Sequence, residues 1–198
     1  MRAAFLALML AGVLSTPAKA LIFLSERDGV ATLSGIFETG DEKTFAAFLA
    51  QPRATRLRVL YLDSFGGSIA AGVQIGRMVR KAGLVTAVDA AAARCDSACT
   101  LIFAGGVRRH YVGGAGVFEG FSARSGLGFH PAHMRDPAWT RAEYSERGTA
   151  IMAAHYRAMG APRTMELMTQ AGFTTMFRPN GATALRVGIA TSLEAPAY

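Results

Sequence analysis

Ser97, His130 and the paired glycines Gly66-Gly67 are the residues whose types and order could carry acyl-transfer chemistry. Ser97 sits in Cys95-Asp96-Ser97-Ala98-Cys99-Thr100, where a small polar residue opens an apolar segment. A hydroxyl at a helix N-terminus feels the positive end of the backbone dipole, which stabilises negative charge developing on its oxygen. The plainer reading is a helix cap, since Asp and Ser are both preferred there. His130 lies in Gly128-Phe129-His130-Pro131. Imidazole is the side chain suited to take a hydroxyl proton at neutral pH and return it to a leaving group. Gly66-Gly67 ends a short apolar run in Asp63-Ser64-Phe65-Gly66-Gly67-Ser68. Two missing Cβ atoms permit positive φ and let a substrate approach the peptide N–H groups, as an oxyanion would require. A turn that needs glycine for geometry alone would look the same.

The other histidines offer less. His110 follows two arginines on an expected strand and His155 lies in an expected helix, so surface or partly buried structural roles suit both. His130-x-x-His133 has no third ligand at helpful spacing, and no metal is expected.

Strands alternating with helices must position these residues. The composition predicts a strand over 30–37 and a helix over 41–50, whose apolar positions are Phe45, Phe48 and Leu49. A buried strand over 58–62 stops at the Gly-Gly turn. A helix over 68–82 follows, with Ile69, Val73, Ile75, Met78 and Val79 as its stripe and Gly83 at its C-terminal end. A strand over 84–88, an apolar helix over 97–104 and a strand near 110–112 lead into a glycine-rich stretch, 113–128. The rest reads as helical over 140–159, 163–170 and 182–187. This alternation predicts an α/β domain with parallel strand pairing.

The first twenty residues stand apart: Arg2, the apolar run 3–13, then Ser15, Thr16, Pro17 and Ala18-Lys19-Ala20. That is the layout of a secretory signal peptide cleaved after Ala20, and its apolar run is far shorter than the roughly 20 residues that span a bilayer. One mature domain, 21–198, remains, without a transmembrane segment. Losing Arg2 and Lys19 lowers the net charge from +7 to +5. The arginines are scattered rather than gathered with aromatics, so nucleic acid is not an expected partner. Two cysteines are too few for a disulfide-built scaffold. In an oxidising compartment, however, Cys95 and Cys99 are expected to pair across the start of the helix, where four-residue spacing brings their Cα atoms to about 6 Å.

In order, DSFGGSIAAGVQIGRMV, CDSACTLIFAGGVRR and GFHPAH resemble the Clp protease proteolytic subunit and its exported relatives, within the crotonase superfamily. ALRVGIA resembles the closing helix, turn and strand of the same fold. The resemblance implies a Clp-protease/crotonase-like fold of repeated β-β-α units. It implies Ser97 as nucleophile, His130 as base, and the N–H groups of Gly67 and Ala98 as oxyanion hole, with Gly66 supporting the turn. It also implies a peptide or protein substrate, no cofactor and a homo-oligomer. The family's aspartate should precede ALRVGIA, yet 172–179 holds no carboxylate; Thr174, Thr175 and Asn180 are the nearest polar residues, and Asp136 or Glu119 would have to act from elsewhere. The stretch 113–128, with Phe118, Phe121 and Arg124, looks like an inserted loop over the site or against a partner subunit. An exported serine hydrolase, a peptidase by preference, is the leading expectation. A binding or scaffold module on the same fold is the alternative, and export disfavours an acyl-CoA enzyme.

Export predicts that protein recovered from the periplasm begins at Leu21. Intact mass checks this; a species that keeps residues 1–20 would instead indicate a retained anchor.

Overall fold

The computed structural model describes residues 23–135 and 142–197. The expected signal peptide and Asp136 lie outside the described residues. Strand β1 (Phe23–Arg27) pairs antiparallel with β2 (Val30–Phe37). From there a parallel sheet grows through β3 (Val59–Gly67), β4 (Val85–Asp89) and β6 (Arg109–Val112). Beyond its pairing with β4, β3 runs on and pairs through Ser64 with Cys95 of β5 (Arg94–Asp96), which in turn pairs with β7 (Gly126–Gly128). The fork at β3 therefore carries the sheet towards the end where Ser97 leaves β5. Strands β8 (His133–Arg135) and β9 (Ala142–Tyr144) form a separate antiparallel pair.

Helices α1 (Asp41–Leu49), α2 (Ile69–Lys81), α3 (Ala98–Gly105), α4 (Glu146–Ala158), α5 (Met165–Met168) and α6 (Gly181–Arg186) complete the domain. Helix α3 is apolar all round, and each of its residues is buried. Such a helix needs neighbours on every side. It packs against β3, β4, α2 and α4. Its contact with α2 is made through glycines of both helices: an added Cβ on Gly72 would lie 2.6 Å from the carbonyl oxygen of Ala98, one on Gly76 2.6 Å from that of Leu101, and one on Gly105 2.2 Å from that of Gly76. The end of α3 is closed by Arg80 of α2, whose Nε donates to the Gly105 carbonyl at 2.8 Å and whose Nη2 donates to those of Ala104 and Gly106 at 3.0 Å. The last carbonyls of a helix have no partner within it, and here one guanidinium serves them.

Several sequence expectations need correction. Asp63 to Gly67 is not a turn: β3 continues through Gly67, beside a register shift in β2 between Gly35 and Ile36, where Ser64 Oγ donates to the Gly35 carbonyl. The segment 113–128 is not wholly loop, since it ends as β7 inside the sheet. The helix expected from 140 starts at Glu146, after β9, with Ser145 Oγ accepting from Gly148 N–H. His110 and His155 are both buried, each with a ring nitrogen on a main-chain carbonyl: Glu194 for His110 and Leu101 for His155. Beyond α6, Ser192 bridges in parallel to His110 at the sheet edge. None of the described helices is long and apolar enough to cross a membrane.

Gly105→Ala is expected to push α3 off α2 and cost roughly 1–3 kcal/mol through overpacking. Urea unfolding of the two proteins measures it, and equal midpoints would refute the close contact.

Candidate active site

Ser97 is the residue between β5 and α3, and its backbone is unusual. With φ 53° and ψ −120° it lies in a region that non-glycine residues rarely adopt, and it is one of two such residues among those described. Its side chain makes no capping hydrogen bond, so the plain reading of Ser97 as a helix cap does not describe this turn. The backbone is held from both sides instead. Ser97 N–H donates to the Gly128 carbonyl at 2.9 Å, and the Ser97 carbonyl accepts from Thr100 N–H at 3.0 Å and from the Thr100 hydroxyl. Thr100 Oγ1 is also 2.6 Å from the hydroxyl of fully buried Tyr156 in α4, so the first turn of α3 is tied to another helix. The sulfurs of Cys95 and Cys99 are bonded across the turn, with Cα atoms 5.1 Å apart.

Gly66 stands against this turn and Gly67 against Phe37 of β2, and at both the absence of a side chain is required. Gly66 has φ 92°; a Cβ on it would lie 2.5 Å from the Asp96 carbonyl oxygen, 2.9 Å from Ser97 Cβ and 3.0 Å from Ala98 N. Gly67 has φ 129°, and a Cβ on it would lie 2.2 Å from the Phe37 carbonyl oxygen. The end of β3 is thus brought next to the first N–H groups of α3, which a helix leaves without internal partners. Ser68 follows as the cap of α2, accepting from Ala71 N–H at 3.3 Å.

One cavity of about 650 Å3 brings Gly67, Ser97, His130 and His133 together, walled by Ile36, Phe65, Ile69 and Met176. His130 is buried, and its Nδ1 has no hydrogen-bond partner among the described residues. Burial, chiefly, and then the neighbouring His133 push its pKa below the ordinary histidine value; the main chain of Pro131 and Phe173 and the charge of Asp96 act the other way. The shift favours the neutral ring, the form a proton acceptor needs. A second cavity of about 210 Å3, on the other side of His130, is lined by Phe173, Thr174, Thr175 and Met176. The segment where the family's aspartate was expected does lie beside His130, but it brings a backbone and two threonines. Glu119 is engaged elsewhere, accepting from Asn180 N–H at 3.2 Å.

Two residues central to the site were not singled out as such in the sequence. Arg178 is 1% exposed. Its Nη1 lies 2.7 Å from Asp96 Oδ1 in an ion pair outside hydrogen-bonding geometry, and its Nη2 donates to Oδ2 at 3.0 Å. Nε and Nη1 also donate to the carbonyls of Ala123 and Gly126. Asp96, read from sequence as a possible cap, is instead a buried anion between Arg178 and Arg94, whose Nε lies 3.0 Å from Oδ2. The neighbouring Phe177 exchanges two main-chain hydrogen bonds with Phe129, the residue before His130. Segment 177–178 therefore braces the strand before Ser97 and the histidine segment together. A buried arginine gives no periodic signal, and only its contacts reveal it.

No family profile matches the sequence, and no curated protein does. Solved structures do. A substituted form of the membrane-bound stomatin-specific protease 1510-N superposes with a TM-score of 0.58 at 15% identity, covering 82% of this chain and 77% of that one. Another form of the same protease, in complex with a substrate peptide, gives 0.56 at 14% identity over 88% and 75%. The ClpP protease catalytic domain from Plasmodium falciparum gives 0.52 at 13% identity over 86% and 87%. The chain has the Clp-protease/crotonase fold. At these identities the likeness establishes the fold alone.

Arg178→Ala leaves the Asp96 carboxylate buried and short of its main partner, and is expected to cost about 3–5 kcal/mol. Equilibrium unfolding in urea checks this; a loss below about 1 kcal/mol would show that the pair does not hold the fold.

Proposed function

We propose that the chain is an exported serine hydrolase acting on peptide bonds. Ser97 Oγ attacks the acyl carbon and His130 takes its proton. The N–H groups of Gly67 and Ala98 receive the oxyanion, and the same proton then passes to the leaving amine. Water repeats the sequence to release the acyl group. The observation that carries this reading is the backbone of Ser97: a strained residue at a strand-to-helix turn, with no capping role, opening into the cavity that also holds His130 and Gly67. Strain of this kind persists only where the surroundings impose it, and it marks functional turns. The reading needs no cofactor. The peptide substrate and an oligomeric assembly come from the likeness to Clp-fold proteases, and export from the first twenty residues.

One observation favours a non-catalytic binding module. Asp96 is the carboxylate whose charge reaches His130, yet its oxygens are held by Arg178 and Arg94, and 172–179 supplies none. An unoriented histidine lowers catalysis greatly without abolishing it, so a slow enzyme fits the same facts.

A fluorophosphonate probe separates the two readings. The processed protein is expected to be labelled at Ser97, Ser97→Ala not at all, and His130→Ala on the order of 10²-fold more slowly. Mass spectrometry of the labelled peptide reads the site. Wild-type protein that is folded and processed but takes no label would overturn the hydrolase reading.

A further inference from the structure

The two cavities beside His130 share three residues: His130, His133 and Met176. All three carry metal-ligating atoms. The rings of His130 and His133 have centroids 5.1 Å apart and planes inclined at 39°. Two imidazoles bound through nitrogen to one tetrahedral ion, at about 2.0–2.1 Å each, place their centroids roughly 5 Å apart. His130 is 5% exposed, and its buried Nδ1 makes no hydrogen bond of good geometry to a described residue. The Met176 side chain packs over Gly128, where an added Cβ would lie 2.7 Å from its Cγ. Among the described residues no group of three His, Cys, Asp or Glu could hold a metal ion. The other donor-bearing residue that lines both cavities is Met176, and two imidazoles with a thioether would favour a soft cation over zinc or a hard ion. The two cysteines are paired with each other, so no free thiolate competes.

We propose that His130, His133 and Met176 form a binding site for monovalent copper, and that copper held there switches off Ser97. A neutral imidazole has one nitrogen lone pair. Given to the cation, it cannot accept the Ser97 proton, and the block is reversible coordination with no electron transfer. The binding half stands on the three side chains alone; the blocking half rests on the hydrolase reading.

The test uses the processed full-length protein with copper(I) kept reduced by ascorbate and a coloured copper(I) chelator as competitor. One equivalent is expected to bind. His133→Ala and Met176→Leu, each checked by thermal melting, are expected to weaken binding on the order of tenfold or more, since even outer partners of metal ligands cost about 10–100-fold when lost. Silver(I), a redox-inert stand-in, should shift the imidazole nitrogen resonances of His130 and His133 in unsubstituted protein, a readout that needs no variant. Unshifted resonances, or affinity unchanged in both variants, would overturn the site. Zinc binding as tight as copper(I), and indifferent to Met176→Leu, would overturn the assignment to a soft cation. Bound copper should stop fluorophosphonate labelling of Ser97 and the chelator should restore it; labelling that continues with copper bound would overturn the switch. Protein that takes no label even without copper would defeat the hydrolase reading, and the binding measurements would still decide the site.

Discussion

A buried ion pair, Asp96 with Arg178, is the constraint around which the end of the molecule that carries Ser97 is arranged. Taking two charges out of water is expensive, and their attraction offsets that cost only when the geometry is good and the remaining donors are used. Arg178 meets the condition by spending its other N–H groups on the carbonyls of Ala123 and Gly126. One side chain thus fixes the strand before Ser97, the approach to β7 and the end of the long glycine-bearing segment. Gly128, at the end of that strand, accepts the Ser97 N–H, so the strained turn is held through the same set of contacts.

The other constraint is closeness. Helix α3 has no polar face, and its start must lie where β3 ends; glycine at 66, 67, 72, 76 and 105 lets backbone meet backbone there. A single Cβ at any of these positions would meet main-chain atoms. The Cys95–Cys99 link crosses the turn at its tightest point. A loop closed over so few residues removes little chain entropy, so what it contributes is local: it limits how far Cys95 in β5 and Cys99 in α3 can separate around Ser97.

The legible parts of the sequence were those with a period or a punctuating residue. The strand-like composition of 30–37, the stripe of α2 and the apolar run of α3 were each readable, and Ser68 and Gly83 marked where α2 would begin and end. Ser97, His130 and Gly67 were readable as a set because their order resembles that of the Clp protease family, and the structure brings them to one cavity. Three-residue strands such as β5 and β7 were not readable, since Arg94–Asp96 and Gly126–Gly128 are too short for alternation and are strands only because β3 offers an edge. The role of Arg178 was hidden for a similar reason. In Phe177-Arg178-Pro179 it looks like any surface arginine, and its partner lies 82 residues away. For His110 and His155 a structural role was readable but the depth of burial was not, because local sequence does not reveal a carbonyl waiting in another element.

On the hydrolase reading, the Asp96–Arg178 pair holds Ser97 in the backbone conformation that reacts. A double-mutant cycle on the rate of Ser97 labelling tests it most directly, using Asp96→Asn, Arg178→Gln and the double variant under conditions where all are folded. If the pair acts as one unit, each single change slows labelling and the double variant is no slower than the worse single one. Labelling rates that match wild type in both single variants, or losses that simply multiply in the double, would contradict the account.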